Sequence, residues 1–370
     1  MRIASTIKIP EQPVYVIFDS GTQRLYVSEP IANRLHVLNP TSGALDGAIG
    51  VGDYPGSVIH LPQRQMIITA NRHDASLSII DIAGQPPFVS SLSVAAYPKH
   101  IFASPDQRKL IITHTYNGSV TFVDLDDVGH HSHRNTVFVG TRPLNAVFHA
   151  DSDTALVVNR RSISLVDCVR YRVIAHCDME YSLRTIAISE TTGEAFVVCP
   201  LESAVCVLDS RGQFIKTITV ERGPITILPL HGGRRFCVLC AAANSAVIID
   251  SLSKTCVDRV AVGDTPMKAL EIVEGGLLLV LNFGDKTMSI VDRERLVVLD
   301  TCSVGKRPFG LAVVPFQRKA YVANEGTHWS SKESFFISAV PLDDLWRTRE
   351  PQIPTQRFCD SMPLDNESMI

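Results

Sequence analysis

The chain has 370 residues, 45% hydrophobic and 20% charged, an ordinary globular mix that excludes a mini-protein and a largely disordered chain. That length accommodates two ordinary domains or one large repetitive one. With 35 basic against 38 acidic residues the formal net charge is −3, so no global electrostatic attraction to nucleic acid or anionic lipid exists.

The opening segment MRIASTIKIP lacks the apolar run of a secretory signal, and no window reaches the ~18 apolar residues of a spanning helix. No membrane span is expected. From Val14 onward one pattern recurs. A β-branched run closes on Asn39, Asp81, Asp124, Asp167, Asp209, Asp250 and Asp292, at intervals of 42, 43, 43, 42, 41 and 42 residues. A proline preceded by small residues marks the same period at Pro13, Pro55, Pro98, Pro143, Pro224, Pro266 and Pro308, with Leu183 in the slot between 143 and 224. Between the two markers lies a third run: LYVSE, MIITAN, LIITHT, ALVVNR, AFVVCP, FCVLCA, LLLVLN and AYVANE.

Each period therefore predicts four short strands and almost no helix, and units of about 40 to 45 residues with four strands are propeller blades. The Asp at each run's end is expected to accept backbone N–H groups two residues on and start the turn to the outer strand. Eight units begin at Val14, Gly56, Lys99, Leu144, Arg184, Ile225, Met267 and Phe309. The last lacks an outer strand, and residues 2–9 are placed to supply it and close the ring. The fold expected is all-β, a single β-propeller over residues 1–346, with eight blades and seven plus a divergent unit as the alternative count. Residues 347–370 read as an exposed, mobile C-terminal extension.

The runs LYVSE at 25–29 and AYVAN at 320–324, the VGxxP steps at 51–55, 139–143, 262–266 and 304–308, and the recurring VxD ends resemble the YVTN-type β-propeller repeat family. The resemblance covers residues 2 to about 345 and implies the fold. It leaves function open, since propellers of this kind include scaffolds, lactonase-like and lyase-like enzymes, and cofactor-bearing subunits. An eight-blade count is also similar to haem d1 propellers, without a fingerprint of that group.

Function on such a scaffold is expected at one end of the central channel. Lys99, His100, Asn145, Arg184 and Lys268 open inner strands there, and His73, His114, Arg160, Arg161 and His328 sit on neighbouring loops. The residue types suit a carboxylate or phosphate held by charge-assisted hydrogen bonds, although solvated loop ends on a large flat face need the same residues. The long loop from Asn324 to Ser334 carries Glu325, His328 and Trp329, suited to stacking on a planar ligand or to covering the ring seam. His130, His131 and His133, with Asp126 and Asp127, form the densest imidazole cluster, but they lie at the opposite end with nothing to fix them, so no metal is expected.

The nine cysteines, mostly inside apolar runs, fit buried free thiols in a reducing cytoplasm. Cys237 and Cys240 have redox or zinc spacing, yet in a strand they point to opposite faces. No nucleophile elbow, P-loop or dinucleotide fingerprint occurs in a fitting context, and no cofactor is indicated. Three functions stay open. The first is a cytoplasmic propeller that binds a small anion or a protein segment. The second is a lactonase- or lyase-type enzyme with His100, His114 or His328 as acid or base and Arg184 and Lys268 as anion clamps. The third is a tetrapyrrole-handling or electron-transfer partner. The first is preferred, because spacing fixes no catalytic constellation.

Overall fold

The computed structural model describes residues 5–84, 86–126, 134–326, 335–346 and 357–358. They form eight antiparallel blades, each built on four strands. Blade 1 runs Val16–Asp19, Arg24–Glu29, Arg34–Leu38 and Leu45–Gly50, from the innermost strand to the outermost, and the later blades repeat this order. The one departure is the closure. Blade 8 comprises Pro308–Val314, Lys319–Asn324 and Phe335–Pro341, and its outer strand is Ser5–Ile9, paired from Ser5 with Ala339 to Ile9 with Phe335. The eight-blade count and the closure by the N-terminal strand are those expected from the repeat.

The core is divided among the blade interfaces. Eight apolar clusters each join two neighbouring blades, and the ring closes where Ile9, Ile337 and Ala339 meet Val16, Phe18 and Val27. Strands that are apolar on both faces follow from this arrangement, since each inner sheet is covered twice. Cys237 and Cys240 illustrate it: the first packs between blades 6 and 7, the second between blades 5 and 6. All eight described cysteines are free thiols, and six are buried. The Asx turns form as expected. Asp250 Oδ1, for example, accepts the N–H groups of Leu252 and Ser253 at 3.0 and 2.9 Å.

A second polar device recurs at the far end of each second strand, opposite the step proline. Proline and terminal residue are direct partners in five blades: Pro55 with Asn71, Pro143 with Asn159, Pro224 with Cys240, Pro266 with Asn282, and Pro308 with Asn324. The terminal side chain clasps the third strand. Asn71 Nδ2 donates to Ser76 and Ser78 at 2.8 and 2.9 Å, and Asn282 Nδ2 donates to Thr287 and Ser289, both at 2.9 Å. Other blades hold other pairs at the same place: Glu29 with Arg34 and His36, His114 with Thr121, and Cys199 with Cys206, Sγ to Sγ 3.2 Å.

Where the clasp is asparagine, the step carries glycine three residues before the proline. A Cβ at Gly52, Gly140, Gly263 or Gly305 would lie within 3 Å of the side chain of Asn71, Asn159, Asn282 or Asn324. The VGxxP step and the terminal Asn are thus one unit, in which the missing side chain leaves room for the amide.

Residues Arg357–Phe358 pair with Glu271 and Leu270 on the inner edge of blade 7 and add a fifth strand there. Among the described residues no helix is long and apolar enough to cross a membrane.

Deleting residues 1–9 is expected to leave the outer edge of the Phe335–Pro341 strand unpaired and to cost several kcal/mol, about the size of a domain's whole stability margin, or to cause aggregation. A soluble truncated protein that melts with the full chain would refute this closure role. Gly263→Ala is expected to destabilise by about 1–3 kcal/mol through overpacking against Asn282, whereas Gly47→Ala, where a Cβ meets nothing within 4 Å, should cost less in the same urea titration.

Candidate functional site

Five of the eight inner strands enter the ring past their step proline with an irregular register immediately after it, between Pro55 and Ser57, Pro143 and Asn145, Pro224 and Thr226, Pro266 and Lys268, and Pro308 and Gly310. Such a bulge re-aims the residues that follow it. The position two residues after the proline slot forms a ring at the channel mouth. Ser57, His100, Asn145, Thr185, Thr226 and Lys268 occupy it in blades 2 to 7, and all are buried. Lys99 and Arg184 stand one residue earlier, each donating its N–H to the second strand, to Thr113 O at 2.9 Å and Val198 O at 3.0 Å. The sequence-predicted Lys99, His100, Asn145, Arg184 and Lys268 therefore stand at the starts of inner strands, on two adjacent positions after the proline slot.

Their environments differ. His100 is only 2% exposed, its ring lies 6.3 Å from that of Phe102, and its Nε2 is fully buried without a hydrogen-bond partner. Burial holds its pKa well below the ordinary histidine range, and Lys99, Arg72 and Arg184 push it further down. The imidazole is accordingly neutral at pH 7, inside a group of three cations. Thr185 and Thr226, at the same ring position, donate to carbonyls of the next blade, Ile225 O and Met267 O, both at 3.4 Å.

Lys268 belongs to the other side of the ring. Its Nζ lies 5.6 Å from the centroids of both Tyr15 and Phe309, which meet edge to face at 5.6 Å. Both contacts are cation–π, the kind that suits a buried ammonium. Gly310 stands at the ring position between them, where a Cβ would strike the Val14 carbonyl.

Arg72 was not among the candidates. It follows the clasp residue Asn71, its guanidinium covers the Tyr54 ring at 5.2 Å, and it reaches the channel from a loop whose direction strand periodicity does not fix. Arg160 occupies the same place in blade 4, but lines an open groove of about 690 Å³ with Arg161, Phe138 and His176 on the flank of blades 3 and 4. His114 is held inside blade 3: Nε2 meets Thr121 Oγ1 at 2.8 Å and Nδ1 meets the Ala96 carbonyl at 3.1 Å. Its place is in the clasp, apart from the mouth group. Glu325, half of the expected long-loop feature, pairs with Arg307 at 3.2 Å. His328 and Trp329 lie outside the described residues, as do Asp127, His130, His131 and His133. Among the described residues no group of three His, Cys, Asp or Glu side chains is placed to hold a metal ion.

A half-open cavity of about 890 Å³ runs along the inner strands of blades 2 to 6, from Asn145 past Phe102, Phe148 and Ile186 to the turns carrying Gln107 and Asp151, and its wall mixes apolar and polar groups. Asn145 belongs to both the mouth ring and the cavity.

No family model matches the chain, and no curated protein matches it. Among solved structures it is similar to Saccharomyces cerevisiae Sqt1, at a TM-score of 0.77 and 12% identity over 92% of this chain and 99% of that one. It is similar to the dihydro-heme d1 dehydrogenase NirN in complex with DHE, at 0.64 and 11% over 90% and 78%. Kuenenia stuttgartiensis hydrazine synthase matches at 0.56 and 15%, over 86% of this chain and 94% of that one. At these identities the likeness is one of fold, an eight-bladed β-propeller.

His114 makes a titration prediction. Burial lowers its pKa to about 4, against about 6.5 in the unfolded chain. The unfolded state therefore binds the proton first on acidification. The contribution of neutral His114 is complete above pH 6.5 and is lost as the pH falls towards 4, by about 2 kcal/mol at pH 5. His114→Gln removes the titrating ring and should shrink the pH 7 to pH 5 loss by that amount. An unchanged difference between urea titrations at the two pH values would contradict it.

Proposed function

We propose that this protein is a cytoplasmic, YVTN-like β-propeller that binds a small carboxylate or phosphate ligand at its channel mouth. The observation that carries this reading is the gathering of Lys99, Arg72 and Arg184 around a buried neutral His100, with Lys268 set against two aromatic rings on the opposite side of the ring. Like charges grouped in a partly desolvated site create a positive potential that an anion lowers, and guanidinium and ammonium groups bond oxyanions with charge assistance. The cavity beneath provides volume for the ligand's uncharged part. The stiff inner strands support binding as well, because groups mounted on them are pre-organised.

The neutral His100 also supports an enzymatic reading, in which it serves as general base towards an anionic substrate clamped by Arg184 and Lys268. Turnover of small lactones or hydroxy acids, abolished in His100→Asn, would favour that reading over simple binding.

Replacing Arg184 and Lys268 together by Met keeps the apolar stems and removes both charges. Calorimetric affinity for inorganic phosphate or citrate is expected to fall by about 2–5 kcal/mol. The control Lys8→Ala with Lys286→Ala removes as much charge from a separate groove of about 450 Å³ between blades 7 and 8. Equal loss in both double variants would place the anion site elsewhere.

A further inference from the structure

The inner strand of each blade turns one edge to the central channel, and among the described residues only blade 7 carries a further strand on that edge. The addition is Arg357–Phe358, from the chain's last segment, with Arg357 opposite Glu271 and Phe358 opposite Leu270. The pairing is antiparallel, which fixes a direction. The inner strand Pro266–Ile272 starts at the mouth and runs away from it, so the added strand runs towards the mouth. Trp346 stands at the far end, over the turn between the inner and second strands of blade 7, where a Cβ on Gly275 would lie 3.0 Å from its ring.

Carried on past Phe358, the same register sets Cys359 opposite Ala269 and Asp360 opposite Lys268. Arg357 and Asp360 then each stand across from a residue of opposite sign, the arrangement that stabilises a cross-strand pair. Residues 359–370 hold Asp360, Asp365 and Glu367 and no Lys or Arg. The cations towards which they run are already engaged within the folded chain, since Lys99, Arg184 and Lys268 each have a partner beyond the contacts given above. We propose that the channel edge of blade 7 is a docking edge for the chain's own segment 357–370, which runs up the channel and presents its acidic residues to the cationic mouth. Main-chain hydrogen bonds to an open strand edge give such docking its affinity, and the opposed charges set its register. The inference deepens the anion reading above and rests on it for the mouth's attraction to negative charge: a soluble anion binds there by displacing the acidic segment.

The experiment uses the full-length chain and places a thiol opposite Cys359. Ala269→Cys treated with diamide is expected to form a disulfide between positions 269 and 359 in most molecules, read by mass spectrometry of non-reduced peptides. Ala146→Cys puts the thiol at the same register position of blade 4 and should give less than about a tenth as much. Adding Asp360→Lys to Ala269→Cys sets two ammonium groups face to face and should cut the bridge at least threefold; adding Lys268→Asp as well should restore it. Where a cysteine variant does not fold, hydrogen exchange in the unaltered chain decides. Residues 356–360 should exchange at least tenfold more slowly than in a free peptide, and Asp360→Lys should remove most of that protection. A bridge no more frequent at 269 than at 146, or exchange of 356–360 at the free-peptide rate, overturns the inference. Citrate separates it from the anion reading. Citrate should bind Asp360→Lys at least threefold more tightly than the unaltered chain, and equal affinity for both overturns the inference while the anion reading stands. Citrate that binds neither overturns the anion reading, and the bridge and the exchange then decide the docked segment alone.

Discussion

The structure depends on a clasp repeated around the ring: a polar side chain at the end of the second strand, opposite the step proline, bonded to the third strand. Asn71 and Asn282 show it in full, each reaching two hydroxyls of the neighbouring strand. The clasp does three things at once. It pairs a buried amide Nδ2, locks the second strand to the third, and fixes the distance at which the incoming segment passes. Gly52 N donates to Ser78 Oγ at 3.0 Å, Gly263 N to Ser289 Oγ at 3.3 Å, and Gly305 N to Asn324 Oδ1 at 2.9 Å, so the preceding blade's outgoing chain is tied into the same network.

Because one chain holds eight copies of the unit, the coupling between clasp and step is visible within it. Blades 2, 4, 7 and 8 have both the asparagine and the glycine three residues before the proline slot. Blades 3, 5 and 6 have His114, Cys199 and Cys240 as terminal residues, and Ala95, Glu180 and Glu221 where the glycine would be. Steric exclusion explains this pairing, since a side chain at the glycine position and the amide at the terminal position would occupy the same space. In blade 6 the freed space holds Glu221, which accepts a hydrogen bond from Ser245 and pairs with Arg259.

The fold was legible in the sequence because its markers are local and periodic. Proline, β-branched run and Asp each report a strand boundary by its own chemistry, and the unpaired edge of the eighth unit had one plausible partner, the N-terminal run. The mouth residues were half legible. Proline register places Lys99, His100, Asn145, Arg184 and Lys268 at strand starts, and there they stand. Strand register does not say where a side chain at a second-strand terminus turns. His114, one place before the loop, is drawn into the blade by Thr121, while Arg72, one place after the equivalent Asn71, reaches the channel. The terminal Asn, Glu, His and Cys were in plain view as the last residues of the third-marker runs. Their shared role needs the cross-strand register, which a period alone does not supply.

The same register explains how cations are tolerated in a partly buried ring. A buried ammonium or guanidinium is retained only where other groups replace lost hydration. Lys268 has two aromatic faces, and Arg72 has Tyr54. Tyr15 and Phe309 come from blades 1 and 8, on either side of the closure, and Gly310 leaves room for the Val14 backbone of blade 1 against blade 8. The seam of the ring thus builds half of the mouth. The charge on blade 7 is held by residues that come together only when the N-terminal strand completes blade 8 and blade 1 packs against it. Ring closure thus also brings together the aromatic setting of Lys268, which makes an intact ring a condition for the proposed anion site.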